Sequence, residues 1–489
     1  MVDFTITGKE RMTLFAFMAL GVICLIATFF WGDPTEISGH HTRFWANILH
    51  NTVFFTGISF TALFVMCAFT TAYAGWYTII KRVWEAFSLF IGVGLVLMTL
   101  YAVATYLGMH DLYHWNMDGL TDPNNIAYDE LLSGKVGFLN KNVFLFGTVA
   151  VLAAWYFFAT KIRSISTAED TNGSKGDFSF HYNIRWWSAL FLPIAAFTSA
   201  GMIWQWVMSI DSHWYSTMFA WYATASWFVS CLCITIMLLV YLKSRGYMKS
   251  ITGEHLHDLG KYLFAFSIFW TYLWFSQYML IWYANVGEET IYFRTRVDEF
   301  PVLFYGNLVL NFLVPFFVLM RNSTKRKYGT LVFVCVVVLF GHWWDFFQMI
   351  RPGVLHTAHV QHSINMGEKP HVSHDTYNVS EYGEGYGTVD HHEGGHSDTG
   401  HSGAVHDDAS HTDAGHANGG HGDAHADGHG EGHGHSHFVN GFTLPGFLDL
   451  GTMLGFFAFF IWFVMGRLAS ARLEPVNDPF LEESLHHHT

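Results

Sequence analysis

Charged residues and cysteines are both scarce in this chain. Asp, Glu, Lys and Arg make up 13% of its 489 residues, whereas a soluble protein carries about 25%. The five Cys show neither the CxxC spacing of iron–sulfur and zinc sites nor the CxxCH of c-type haem. These shortages exclude a disulfide-stapled module, and 25 basic against 39 acidic residues exclude a basic nucleic-acid binder. We therefore expect no nucleic-acid partner, and no covalent haem or iron–sulfur cluster in the chain.

Apolar residues dominate instead, with 51% of the chain hydrophobic and 18% aromatic. A helix needs about 20 apolar residues to cross a hydrocarbon layer of about 30 Å. Hydropathy predicts spans at 12–31, 46–74, 86–109, 142–160, 187–209, 218–242, 260–284, 301–320, 328–350 and 444–466. Runs such as LVFVCVVVLF do not alternate as barrel strands would. The sequence predicts an all-α polytopic membrane protein with about ten transmembrane helices. The seventh is the weakest, because Lys261, Gln277 and several Tyr dilute it.

Lys and Arg are unevenly shared between the two sides that ten spans define. The side holding both termini carries 18 of them and the other side carries 7. Basic flanks stay cytoplasmic, so we expect a multi-pass protein of the bacterial inner membrane with both termini in the cytoplasm. WGDPTE follows the first span in place of a small-residue cleavage site, so this span is expected to be retained.

Residues 353–440 differ in kind from the rest of the chain. They hold 18 of the 31 His and 13 acidic residues against one Lys. Such a segment cannot bury a core, which predicts a disordered periplasmic insert. It would separate nine helices in 1–352 from the tenth helix and cytoplasmic tail in 441–489. Spaced His can bind Zn, Cu or Ni in many arrangements, and a solvated loop is the alternative interpretation.

Titratable residues are expensive at membrane depth and therefore indicate candidate sites. Those at the predicted outer ends of spans five, seven and nine are Asp211, His213, Glu288, Glu289, His342 and Asp345. His342 and Asp345 are three apart, so they share a helix face and form a plausible proton acceptor–donor pair. The alternative is that such residues cap helices or bind headgroups. On the other side, Glu85 beside Lys81 and Arg82 favours an interfacial ion pair.

A second group of residues could contact a quinone. His50 in span two, with Gln277 and Tyr278 in span seven, are the candidates for such a pocket. Aromatic rings can stack on a quinone, although Trp and Tyr also form belts at the membrane interfaces, and 214–228 fits that description. A haem b would need facing pairs of His inside spans, and His50 with His342 is one potential pair.

Three motifs resemble those of a known family: MSIDSHWYSTMF (208–219), FWTYLWFSQYMLIWYANVGEET (269–290) and GHWWDFF (341–347). They are similar to the second NrfD-like membrane subunit of alternative complex III, a bacterial quinol-oxidising respiratory complex. The resemblance implies two four-helix bundles plus two peripheral helices. It also implies a role in proton transfer or coupling, with the six outer-end residues carried over individually. Gln205 departs from the pattern, because the family usually has Asp there.

The resemblance further implies partners and a cofactor. The partners are a multihaem cytochrome c subunit, an iron–sulfur subunit, a monohaem cytochrome c, small anchoring subunits, a twin NrfD-like subunit, an attached cytochrome oxidase and lipids. The cofactor is menaquinone or its quinol. The expected function is that of a subunit of a quinol:cytochrome c oxidoreductase in the respiratory chain, not catalytic alone. The alternatives are a metal or proton transporter with a His-rich external loop, and a structural scaffold.

Overall fold

The long apolar runs of the sequence form helices, in which every backbone polar group is satisfied within its own segment. The computed structural model describes residues 4–31, 33, 41–174, 176–366 and 439–487. Its helices are α1 (Gly8–Trp31), α2 (Thr42–Thr71), α3 (Lys81–Ser88), α4 (Ile91–Tyr106), α5 (Glu130–Lys135), α6 (Lys141–Asn172), α7 (Ser179–Trp206), α8 (Thr217–Ser244), α9 (Gly253–Ala284), α10 (Gly287–Asp298), α11 (Pro301–Leu308), α12 (Val314–Leu319), α13 (Asn322–Lys325), α14 (Tyr328–Asn365), α15 (Phe447–Ala469) and α16 (Leu481–Leu485). Within these residues the only extended pairing is one isolated bridge between Asn440 and Leu444.

Nine segments of the described chain are long and apolar enough to cross a membrane, counting α3 with α4 and α11 with α12 as one each. The prediction of an all-α polytopic membrane protein is confirmed. The seventh predicted span lies in α9, a helix of 32 residues. It is not among the nine, because Lys261, Gln277 and its Tyr residues lower its hydropathy. The sequence predicts ten spans and the described structure has nine; the difference is α9, the span predicted most weakly.

The helices pack in two groups of four. The first group is α2, α3–α4, α6 and α7, and the second is α8, α9, α11–α12 and α14. α2 joins them by packing against α8 and α14. α1 lies against α15 outside both groups, so closely that a methyl group on Gly21 would lie 2.4 Å from the Cα of Gly455. Small residues allow such backbone approach between membrane helices. This packing agrees with the two bundles and two peripheral helices that were predicted.

The helix α14 is longer than the predicted ninth span. It continues to Asn365, with Thr357 and Val360 buried on it. The insert was predicted to begin at 353, so the expectation of disorder is wrong for 353–365. Most of the predicted insert, 367–438, lies outside the described residues and stays a prediction.

A π turn at Val309–Leu313 separates α11 from α12. Pro315 has no N–H to donate to the carbonyl of Asn311, and the helix widens where that hydrogen bond is missing. The wider turn brings the Asn311 side chain against α14 at Gly341. A Cβ on Gly341 would lie 2.3 Å from the Asn311 amide oxygen, so this close approach requires glycine.

The end of the first bundle that contains Lys81 is tied to the C-terminal segment by ion pairs. Arg82 Nη1 lies 2.7 Å from Glu85 Oε2, which confirms the predicted ion pair. Lys81 Nζ lies 2.8 Å from Asp478 Oδ2 and 3.4 Å from Glu169 Oε2. Burial opposes ionisation of Asp478, but the Lys81 ammonium outweighs it and holds the pKa of Asp478 below its usual range. The tail is therefore docked on the bundle, which its sequence did not predict.

Candidate functional site

Asp345 lies midway along α14 and is fully buried. Its Oδ1 accepts hydrogen bonds from the Tyr222 hydroxyl and from Asn307 Nδ2, the latter at 2.6 Å. Its Oδ2 accepts from Ser226 Oγ at 2.5 Å and from Trp270 Nε1 at 3.0 Å. Both oxygens of this carboxyl group are thus held by two donors each, contributed by three other segments of the second bundle.

All four of these donors are neutral. Among the described residues, no Lys, Arg or His lies within ion-pair distance of Asp345. Burial disfavours an ionised carboxylate, whereas hydrogen bonds from N–H and O–H groups favour it. The two effects oppose each other at this side chain, and no counter-ion fixes its charge. Such a carboxyl group is suited to gaining and losing a proton.

His342 lies one turn before Asp345 and reaches the same Ser226. Its Nδ1 is 3.2 Å from Ser226 Oγ. Because Ser226 donates its single O–H to Asp345, its oxygen is left to accept from the imidazole. His342 Nε2 is buried and has no hydrogen-bond partner within the described part of the chain. The two predicted residues share a helix face, and the Ser226 hydroxyl connects them.

The donors to Asp345 were missed by the sequence analysis. Tyr222 and Ser226 lie four apart on α8, and Asn307 and Asn311 lie four apart across the π turn. Asn311 Nδ2 in turn donates to Asn307 Oδ1 at 2.5 Å. The recurrence of polar residues at this spacing in apolar spans was the available signal. Tyr222 belongs to the segment 214–228, which fitted an interfacial aromatic belt by its sequence, but the structure buries this residue.

Polar side chains lie both beside Asp345 and at Asp211, but the described contacts do not join them into one chain. Asn307 Nδ2 also lies 3.1 Å from Gln348 Oε1, one turn along α14. Arg296 Nη2 lies 2.8 Å from Asp211 Oδ2, and the Arg296 guanidinium covers the ring of Tyr292 at 3.4 Å. No contact among the described residues joins Gln348 to Arg296. The Asp211 side chain is 21% exposed, so the Arg296–Asp211 pair reaches the surface.

The structure separates Asp211 from His213, although both follow α7. Asp211 faces Arg296, whereas His213 Nε2 lies 2.5 Å from Asp129 Oδ2 in the segment between α4 and α6. His114 of the same segment lies beside them. Neither His114 nor Asp129 is predictable from sequence as a partner of His213, because nothing local indicates that this loop folds back onto the turn after α7.

Glu288 and Glu289 lie in the first turn of α10. Glu288 is exposed, and the main-chain carbonyl of Glu289 accepts a hydrogen bond from Trp214 Nε1 at 3.1 Å. Carboxylates in a first turn stabilise a helix through its dipole. The described contacts connect neither side chain to Asp345, and no side-chain hydrogen bond caps α10. A role for both residues in proton transfer stays a prediction.

The three predicted quinone-contacting residues occupy different places. His50 is buried between α2 and α14, with Nε2 3.0 Å from the carbonyl oxygen of Trp343 and its ring stacked on the Trp343 indole. Gln277 is buried on α9, where its Nε2 has no partner within the described chain. Tyr278 packs against Phe304. No described contact joins His50 to the other two, and the quinone pocket stays a prediction.

Gln205 replaces the acid that the resemblance expects. It is buried, and its Nε2 donates to the carbonyl oxygen of Phe138 at 2.9 Å. This bond ties α7 to the segment before α6, and it does not require a charge.

Neither a protein-family model nor a curated protein matches this chain. The fold and the site therefore define the class by themselves. The chain is a polytopic α-helical membrane protein whose second bundle encloses a carboxyl group with neutral partners.

Proposed function

We propose that this chain is an integral membrane subunit of a quinol:cytochrome c oxidoreductase of the alternative complex III type, in which Asp345 exchanges protons. The observation that carries the proposal is the Asp345 site itself, a fully buried carboxyl group with four neutral donors and no described counter-ion. Ionisable residues inside membrane bundles commonly mark ion and proton pathways. The resemblance of three motifs supports the choice of complex.

The division of labour follows from the chemistry of quinol. Its oxidation releases two electrons and two protons. The sequence has no Cys pattern for a haem or iron–sulfur centre, so the electrons would pass to the cytochrome and iron–sulfur partners. The protons would be handled by groups of this subunit, with menaquinol as the expected donor.

A direction for the proton follows from the positive-inside rule. The rule predicts that Asp211 faces outward. A proton that left Asp345 past Asn307 and Gln348, and crossed the gap to the Arg296–Asp211 pair, would then reach the outer face. The amide side chains would not carry the proton themselves, but they can order water along such a route.

Quinone contact in this subunit is part of the same proposal. The buried Gln277 amide, unpartnered in the described structure, is a donor that a quinone carbonyl could accept from. Tyr278, next to Gln277 on α9, is the second proposed contact, and His50, which no described contact joins to these two, would be a separate one. Each can be substituted independently of Asp345.

The test is Asp345→Asn in the intact, purified complex. A positioned acid or base accounts for about 100-fold or more of a rate, so the rate of quinol-driven cytochrome c reduction should fall by about that factor. If the electrons still pass but the Asp345 proton path is closed, proton release per electron should fall instead. Asp345→Glu should restore part of the activity, because it restores a carboxyl group.

The matched control is Asp298→Asn. Its side chain is 62% exposed and pairs with Arg294 on α10, so its neutralisation should leave rate and proton yield unchanged. A fully assembled Asp345→Asn complex with normal rate and proton yield would contradict the proposal.

A further inference from the structure

Three side chains with metal-ligand chemistry meet at the end of the bundles where Asp211 lies. A short 3-10 helix, His114–Asn116, presents His114. Asp129 is the N-cap residue of α5, and His213 lies in the turn between α7 and α8. One ligand atom of each lies within 4.8 Å of the others. Residues far apart in the sequence thus form one compact cluster.

The cluster is shielded from solvent. His114 is 4% exposed, and the Asp129 and His213 side chains are 9% and 22% exposed. The His114 ring lies beside that of His213, with ring centroids 5.2 Å apart.

Neighbouring groups hold the ligands in position. Asp129 Oδ1 accepts from the backbone N–H of Leu132 at 3.0 Å, which leaves Oδ2 directed at His213. Lys135 Nζ donates to the carbonyl oxygens of Ser212 and His213 at 2.9 and 3.2 Å, which fixes the turn. Such outer contacts orient metal ligands and are characteristic of metal sites.

We propose that His114, Asp129 and His213 form a binding site for a divalent transition-metal cation of the Zn²⁺ type. Two imidazoles and a carboxylate match the borderline preference of such ions and leave further positions for water or another ligand. His356 of α14 is near enough to interact electrostatically with both His114 and His213, but it is not one of the three residues whose ligand atoms lie within 4.8 Å of one another. The bound cation would clip the α4–α6 segment to the turn after α7. This inference does not rest on the proposed function.

The test is titration of the metal-free, full-length chain in detergent with Zn²⁺ against a chromophoric chelator. The His-rich sequence at 371–437 will take up Zn²⁺ as well, so variants must separate the two. The wild-type chain should bind one Zn²⁺ ion more tightly than all others. His114→Gln with His213→Gln should lower the affinity for that ion by more than about 100-fold, since losing even a residue that only supports a ligand lowers metal affinity by about 10- to 100-fold.

The matched control is His421→Gln with His425→Gln, which removes two imidazoles from the His-rich sequence and should leave the affinity for the tightly bound ion unchanged. Asp129→Asn, which preserves shape, should weaken it in the same way as the double variant. Co²⁺ bound to the wild type at one equivalent should give visible absorption of a site with nitrogen and oxygen ligands. The inference would be overturned if the wild type bound no Zn²⁺ ion more tightly than the rest. It would also be overturned if the folded double variant or Asp129→Asn still bound one Zn²⁺ ion with wild-type affinity.

Discussion

Asp345, on α14, and Asp449, on α15 beside α14, are both fully buried carboxyl groups, and they differ in their hydrogen-bond and ion-pair partners. Asp449 accepts from Arg43 Nη2 at 2.6 Å, from Arg351 Nη2 at 3.1 Å and from Asn47 Nδ2 at 2.9 Å. Two guanidinium groups fix its negative charge. Asp345 has four neutral donors and no cation among the described residues.

The partners of each carboxyl group determine what its protonation costs. Protonating Asp449 would leave two guanidinium groups buried without their counter-ion, at a high cost in free energy. Asp449 therefore anchors α15 to α2 and α14 as a permanent anion. Protonating Asp345 leaves no charge unpaired, so this group can change its state inside the bundle.

The largest effect on stability is expected from Asp449→Asn. Removing one partner of a buried ion pair costs about 3–5 kcal/mol, whereas Asp345→Asn disturbs only hydrogen bonds from neutral groups and should cost about 1–3 kcal/mol. Thermal or denaturant unfolding in detergent would measure both, and Asp345→Asn should instead have the larger effect on turnover. Equal losses of stability for the two variants would show that the contrast in partners has no energetic meaning.

The next effect tests the serine between His342 and Asp345. Ser226→Ala removes one hydrogen bond to the carboxylate, worth about 1.5–3 kcal/mol. If that bond acts in the rate-limiting step, turnover should fall about tenfold or more. The control is Ser230→Ala, one turn further along α8, since Ser230 is equally buried and bonds the carbonyl oxygen of Ser226 at 2.7 Å. Equal rates for the two variants would remove Ser226 from the proposed proton path.

Asp478 is a third buried carboxylate, and the pH dependence of stability tests whether its ion pair with Lys81 stabilises the fold. The pKa of Asp478 is held low by Lys81, so its contribution to stability is present above the unfolded value of about 3.9 and is lost as pH falls through the folded value. Asp478→Asn should lower stability at pH 7 by about 2 kcal/mol, because Lys81 keeps Glu169.

The difference between wild type and Asp478→Asn should begin to shrink below the unfolded pKa of about 3.9. It should approach zero only when the pH falls below the lowered pKa of folded Asp478, where the wild-type carboxylate is protonated too. Melting temperatures from pH 3 to 8 would show this. A difference that does not depend on pH would mean that the Lys81 contact is not what stabilises the docked tail.

The smallest effect is expected from Glu288→Gln with Glu289→Gln. Each carboxylate contributes about 0.3–1 kcal/mol through the dipole of α10, and neither contacts the Asp345 site. Quinol-driven cytochrome c reduction should stay unchanged. A clear fall in that rate would instead support the sequence-based assignment of these residues to proton transfer.

Only part of the Asp345 site is predictable from the sequence. His342 and Asp345 were predictable as a pair, because residues three apart on a helix share a face. Ser226 and Trp270 were not, since they come from other helices and meet Asp345 only through packing. The same holds for the metal-type cluster, in which His213 and Asp129 lie 84 positions apart.

The sequence by itself determined the membrane-spanning helices, because the length of an apolar run and the need to satisfy backbone hydrogen bonds are local properties. Only the tertiary structure decided which buried carboxyl group has a cation. Arg43 and Asp449 lie 406 positions apart, and they meet because α15 packs beside α2. No helix packing brings a cation to Asp345 among the described residues. Asp449 is therefore held as an anion by its guanidinium partners, whereas Asp345 can exchange a proton.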